Sequence, residues 1–171
     1  MYLMKNIRLW GWDKKPRTML RYIKVGDIVC FEINSSGDKF GYGQIIAELS
    51  TGRAFRTFNI IHSDPMDITI DEIENSNQFG KTFVLDAYGT LDDKKLIQNG
   101  EWRIIGRQEN FELTEDEINN VFFEYGNKGM KQKKNLLNQN VSISDAEAEN
   151  YVSSGPVTGD QAKIWYLKYD E

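Results

Sequence analysis

The run from Lys24 to Leu49 constrains the fold of this chain more than any other. It reads Lys-Val-Gly-Asp-Ile-Val-Cys-Phe-Glu-Ile, then a polar turn, then Phe-Gly-Tyr-Gly-Gln-Ile-Ile. Val29, Phe31 and Ile33 alternate with Ile28, Cys30 and Glu32, a period of two that turns one set of side chains into a core. Asn34-Ser35-Ser36-Gly37-Asp38 tolerates turn dihedrals, so the chain reverses into a second strand over 39–49. Gly41 and Gly43 lie inside that strand, where they permit curvature or the close approach of a ring such as Trp102.

Further strands are predicted at Ala54 to Ile61, after the Thr51-Gly52 turn, and at Thr82 to Leu85. Asn99-Gly100, between Leu96-Ile97-Gln98 and Glu101 to Ile105, is a strong hairpin signal because both turn positions favour positive φ. The closing run Ala162 to Tyr169 alternates Trp165, Leu167 and Tyr169 with Ile164, Tyr166 and Lys168, and reads as a last strand. Three capping patterns, Thr69 with Glu72, Thr114 with Glu117 and Ser144 with Glu147, each place an oxygen acceptor three residues before a glutamate and so start a short helix. Ile70 and Ile73 give the first an apolar edge. Ile118, Val121 and Phe122 give the second a stripe at helical spacing.

These signals predict a mostly β protein: a curled antiparallel sheet or partly open barrel with two or three short peripheral helices. A length of 171 residues with 40% hydrophobic content suits one domain spanning 1–171. Residues 1–20 read as an N-terminal arm and 126–140 as a basic, variable loop. Eight tyrosines, nine phenylalanines and four tryptophans, against three prolines, argue for an ordered, ring-rich core.

No stretch reaches the roughly 20 apolar residues of a membrane span, and Lys5 and Arg8 interrupt any secretory leader. The expected location is therefore cytoplasmic, with no membrane partner. Cys30 and His62 are each the sole residue of their type, which leaves no internal disulfide and no thiolate or imidazole cage. Cys30 reads as a small buried residue and His62 as a structural or solvated one.

Catalytic readings find little to build on. Gly41-x-Gly43 lacks a third glycine and a following helix, so it is no phosphate loop. Asp64, Asp67, Asp71 and Glu72 are the densest carboxylates and keep a metal-dependent hydrolase open as an alternative, although a loop and a helix start are poor metal frames. No nucleophile and base are paired. No cofactor is expected. Lys128, Lys131, Lys133 and Lys134 keep a second alternative open, a β-barrel adaptor for nucleic acid or a peptide. A pI near 5.1 and the lack of interleaved rings argue for a solvated loop and against a nucleic-acid partner.

The net charge of -5 conceals a sharp division. Residues 1–60 carry ten Lys and Arg against five Asp and Glu; residues 61–127 carry five against fifteen; residues 128–171 carry six of each. Asp64, Asp67, Asp71 and Glu72 gather around one capped helix, and Glu115, Asp116 and Glu117 around another. Fields of this density steer a cationic partner, and these seven residues are the candidate contacts.

The run from Trp12 to Phe31, Trp-Asp-Lys-Lys-Pro-Arg-Thr-Met-Leu-Arg-Tyr-Ile-Lys-Val-Gly-Asp-Ile-Val-Cys-Phe, resembles the opening of the immunity protein 26 family of bacterial polymorphic toxin systems. Gly43-Gln44-Ile45-Ile46, Gly100-Glu101-Trp102-Arg103-Ile104-Ile105-Gly106 and the terminal run ending near Tyr169-Asp170 are similar to its later landmarks. Val25 stands where the family pattern has proline. The resemblance implies a mostly β, non-enzymatic binder that neutralises a cognate toxin, expected to be a nuclease, by occluding its active site or substrate groove. It supplies no catalytic residues; Gly26, Asp27, Gly43, Trp102 and Gly106 read as fold markers.

Overall fold

A computed structural model describes residues 6–14, 20–34, 36–91 and 101–169. Among the described residues, ten strands fall into two sheets. The larger is formed by β1 (Asn6–Leu9), β2 (Asp27–Glu32), β3 (Phe40–Leu49), β4 (Gly52–His62), β5 (Gln78–Leu85) and β6 (Trp102–Glu109) in the order β1-β6-β2-β3-β4-β5, antiparallel throughout. The smaller has the order β10-β7-β8-β9, from β7 (Phe122–Tyr125), β8 (Gln132–Asn135), β9 (Asn140–Ser142) and β10 (Val152–Ser153). Register shifts at Ile28/Val29, Gly41/Gly43, Ile45/Ala47 and Phe55/Thr57 curl the large sheet, because a bulged strand bends locally. Neither sheet closes, so the curled-sheet form of the expected class is the one adopted.

The predicted β2–β3 hairpin forms, but both faces of β2 are buried. Val29, Phe31 and Ile33 join one core cluster, while Ile28 and Cys30 join another on the opposite face. Packing in the first cluster is dominated by rings. Phe31 stacks on Trp102 at 4.3 Å and 14°, and Tyr166 meets Phe31 edge-on at 5.4 Å. The rings packed on the two strand glycines are Phe31 at Gly41 and Phe55 at Gly43, not Trp102; a Cβ on Gly41 would lie 2.7 Å from the Phe31 ring. Cys30 is fully buried, and burial pushes its thiol well above its ordinary range.

The turn before β2 is fixed by charge as well as by backbone. Gly26 has φ +98° and leaves no room for a Cβ, which would lie 2.5 Å from the Gln108 carbonyl. Next to it, the fully buried Asp27 accepts from Arg107 Nε at 2.5 Å and from the Lys24 amide at 2.8 Å. This corner ties the start of β2 to β6, and both fold markers thus have a structural explanation.

Helices α1 (Ile70–Asn75), α3 (Glu115–Asn120) and α4 (Asp145–Ala148) begin at the three predicted caps. Two more, α2 (Ala87–Leu91) and α5 (Gly159–Tyr169), carry the described helices beyond the expected two or three. Ile73 is buried in α1, but Ile70 is exposed. Helix α3 stops at Asn120, so Val121 is its C-cap and Phe122 already belongs to β7, which corrects the predicted stripe.

Helix α5 corrects the predicted last strand. Ala162, Trp165 and Tyr166 are spaced i, i+3, i+4 and lie on the first core cluster, with Trp165 edge-on to Phe83 at 5.6 Å. Thr158 Oγ1 accepts from the Gln161 amide at 3.2 Å, a cap whose Thr-x-x-Gln pattern was present in the sequence. Alternating rings are compatible with either period, and the cap decides between them.

Two further readings change. Within the N-terminal arm, Asn6–Leu9 forms β1, paired with β6. Within 126–140, Gln132–Asn135 forms β8, and the chain re-enters β9 at Asn140. Two lysines of this stretch are neutralised from neighbouring elements, since Lys131, just before β8, meets Glu124 of β7 at 2.9 Å and Lys133 meets Glu147 of α4 at 3.0 Å. The Leu96-Ile97-Gln98 strand and the Asn99-Gly100 turn lie outside the described residues.

Candidate functional site

The two acidic helix starts lie over the same face of the β3–β4 hairpin. Ile73 of α1 packs in the cluster that holds Tyr42 and Phe58, and Glu117 of α3 reaches Arg56 on β4 at 3.1 Å. On the same face is a polar cleft of about 130 Å³ bordered by Gln44, Arg56, Ile73, Ser76 and Gln108. A chain of hydrogen bonds runs along its floor: Arg56 Nη2 donates to Gln44 Oε1 at 2.8 Å, and Gln44 Nε2 donates to Gln108 Oε1 at 3.0 Å. Burial pushes the Arg56 guanidinium below its ordinary value, and the Glu117 carboxylate acts against that shift.

Both helix starts are rigid for the same reason. Thr69 Oγ1 accepts from the Glu72 amide at 3.2 Å while Glu72 accepts from the Thr69 amide at 2.9 Å. Thr114 and Glu117 repeat the arrangement at 3.1 and 3.3 Å. Such a box satisfies two amides that the first turn would otherwise leave unpaired. Thr114→Ala is expected to lower unfolding free energy by about 1 kcal/mol, to be read from urea denaturation.

The seven acidic candidates divide into two kinds. Glu72 is engaged by its cap and by His62 Nε2 at 2.8 Å, and Glu117 by its cap and Arg56. These two hold structure, and His62 likewise has a structural partner. Asp64, Asp67, Asp71, Glu115 and Asp116 are exposed, with no cationic partner among the described residues. Asp64 accepts from the Met66 amide at 2.9 Å and Asp116 from Asn120 Nδ2 at 2.6 Å, so both are oriented without being neutralised.

Sequence reasoning missed the apolar part of this surface. Met66 is 51% exposed and Ile70 38%, and both lie among Asp64, Asp67 and Asp71 in the chain. Met66 is held from beneath, its sulfur accepting from the Trp12 amide at 3.3 Å. The only available signal was a methionine and an isoleucine at loop and helix-start positions. Among the described residues, no group of three or more His, Cys, Asp or Glu side chains is placed to hold a metal ion. No described helix is long and apolar enough to cross a membrane.

The scaffold is mostly β, with short capped helices beside its sheets. The family model for immunity protein 26 matches residues 24–135, more than half of the chain, and this protein belongs to that family. No curated protein and no solved structure matches the chain. Family membership makes it an immunity protein with a toxin as its partner.

Proposed function

We propose that this protein neutralises a nuclease toxin of a bacterial polymorphic toxin system, in the cytoplasm and without catalysis, by covering the toxin's active site or substrate groove. The observation that carries this reading is the set of five exposed, unneutralised carboxylates on the two capped helix starts and on the 64–67 turn that leads into the first. A nuclease presents a cationic surface to phosphates, and a rigid array of carboxylates can occupy it in their place. Asp64, Asp67, Asp71, Glu115 and Asp116 are the proposed contacts, with Glu72 and Glu117 holding the array in position. Met66 and Ile70 supply the apolar anchors that a charged rim needs beside it.

The deciding experiment is co-expression with the product of the adjacent toxin gene. Cells are expected to survive only when this chain is present, and purified toxin should lose nuclease activity on mixing. Unprotected cells, or a toxin that remains active in a stable complex, would rule out occlusion. Protection against a toxin of another chemistry would correct the nuclease assignment alone.

A further inference from the structure

Lys134 is a buried cation without a counter-charge. It retains 5% of its exposure, and its Nζ donates to Ser50 Oγ at 3.1 Å and Thr51 Oγ1 at 3.5 Å. No carboxylate pairs with it among the described residues, whereas its neighbours Lys131 and Lys133 are both salt-bridged. Buried charges are normally paired, because two hydroxyls replace only part of the lost hydration. Burial accordingly lowers the affinity of the amine for its proton.

The amine borders a cleft of about 740 Å³ between the β3–β4 turn and the small sheet, lined also by Ser50, Thr51, Tyr125 and Asn140. An ammonium has three donors, and two are directed at the hydroxyls, leaving a third whose neighbour is the face of the Tyr125 ring, 5.7 Å from its centroid, a contact that supplies no hydrogen-bond acceptor oxygen. Thr51 donates its own proton to the Ser154 carbonyl at 2.7 Å, but Ser50 keeps a proton to give. Two donors and a single positive charge match the two oxygens and single negative charge of a carboxylate. A phosphate dianion would remain half uncompensated, with Glu48 on the same rim at 3.4 Å from Arg53.

The geometry points to this cleft as a receptor for a carboxylate side chain of a protein partner, the toxin where the immunity reading holds. The identity of the partner rests on that reading; the test of the cleft does not. It would give the protein an anchor of opposite sign to its acidic turns, so that a mate must be complementary at two surfaces.

The test is an amide and lysine NMR titration of the whole protein with N-acetyl-aspartyl-amide, against sodium chloride at matched ionic strength and against inorganic phosphate. Saturable shifts are expected at Ser50, Thr51 and Lys134, with a dissociation constant on the order of 1–10 mM. Lys134→Gln should weaken binding at least about tenfold, as loss of the sole charge requires. If that variant does not fold, Ser50→Ala, on the exposed turn, should weaken it about threefold by removing one neutral donor. Shifts that chloride reproduces, or that survive both substitutions, overturn the proposal; tighter binding of phosphate overturns the ligand class. None of these outcomes depends on whether the chain protects cells from a toxin.

Discussion

Replacing Arg107 with methionine is expected to lower unfolding free energy by about 3–5 kcal/mol, as measured by urea denaturation at neutral pH. The Asp27 carboxylate has no exposure, and Arg107 is its charged partner at 2.5 Å. Removing the guanidinium takes the charged partner at 2.5 Å from an enclosed carboxylate, and the hydrogen bonds that remain, the Lys24 amide's among them, offset only part of the desolvation cost. Arg107→Lys, which restores charge without the planar fork, should lose less. The effect should extend beyond the pair, because the same corner joins Gln108 to Gly26 through a backbone bond of 2.9 Å. A loss under about 1 kcal/mol would show that the other contacts of the carboxylate compensate it without Arg107.

Reversing charge at Glu115 and Asp116 together, to lysine, is expected to slow association with the toxin about tenfold at low salt and to flatten its dependence on ionic strength. Both side chains are exposed, and the stability cost should stay within about 1–2 kcal/mol, that of placing two cations in the first turn of α3. Glu117 is the wrong target despite its place in the same acidic run. Its removal opens the Thr114 cap and strips Arg56 of its carboxylate, confusing unfolding with lost binding. Stopped-flow association measured across a salt series separates these effects. An unchanged association rate for the double variant would remove α3 from the proposed interface.

The contrast between Asp116 and Glu117 shows where sequence is informative and where it stops. Thr114 and Glu117 announce a helix start because a capping box is local, complete within four residues. The use of Glu117 by Arg56, sixty-one residues away, is a tertiary fact with no local trace. Alternation in β2 was legible, yet the burial of both its faces depends on which elements cover the sheet. Around 162–169 the alternating rings outweighed the Thr158 cap, although the cap carried the correct assignment. Lys133 and Lys134 are consecutive in a polar run, yet one is salt-bridged at the surface and the other is enclosed. Their difference arises from the pleat of β8 and from the Ser50-Thr51 turn brought against it, neither of which a charge count can register.

The match to the family model ends at residue 135, well before α5 begins. A shorter piece cut at that limit would preserve the recognisable stretch yet discard the aromatic lid formed by Trp165 and Tyr166, leaving Phe31 and Phe83 open to water. Such a fragment should aggregate more readily than the intact chain, an outcome that would make the unit that folds larger than the unit that is recognised.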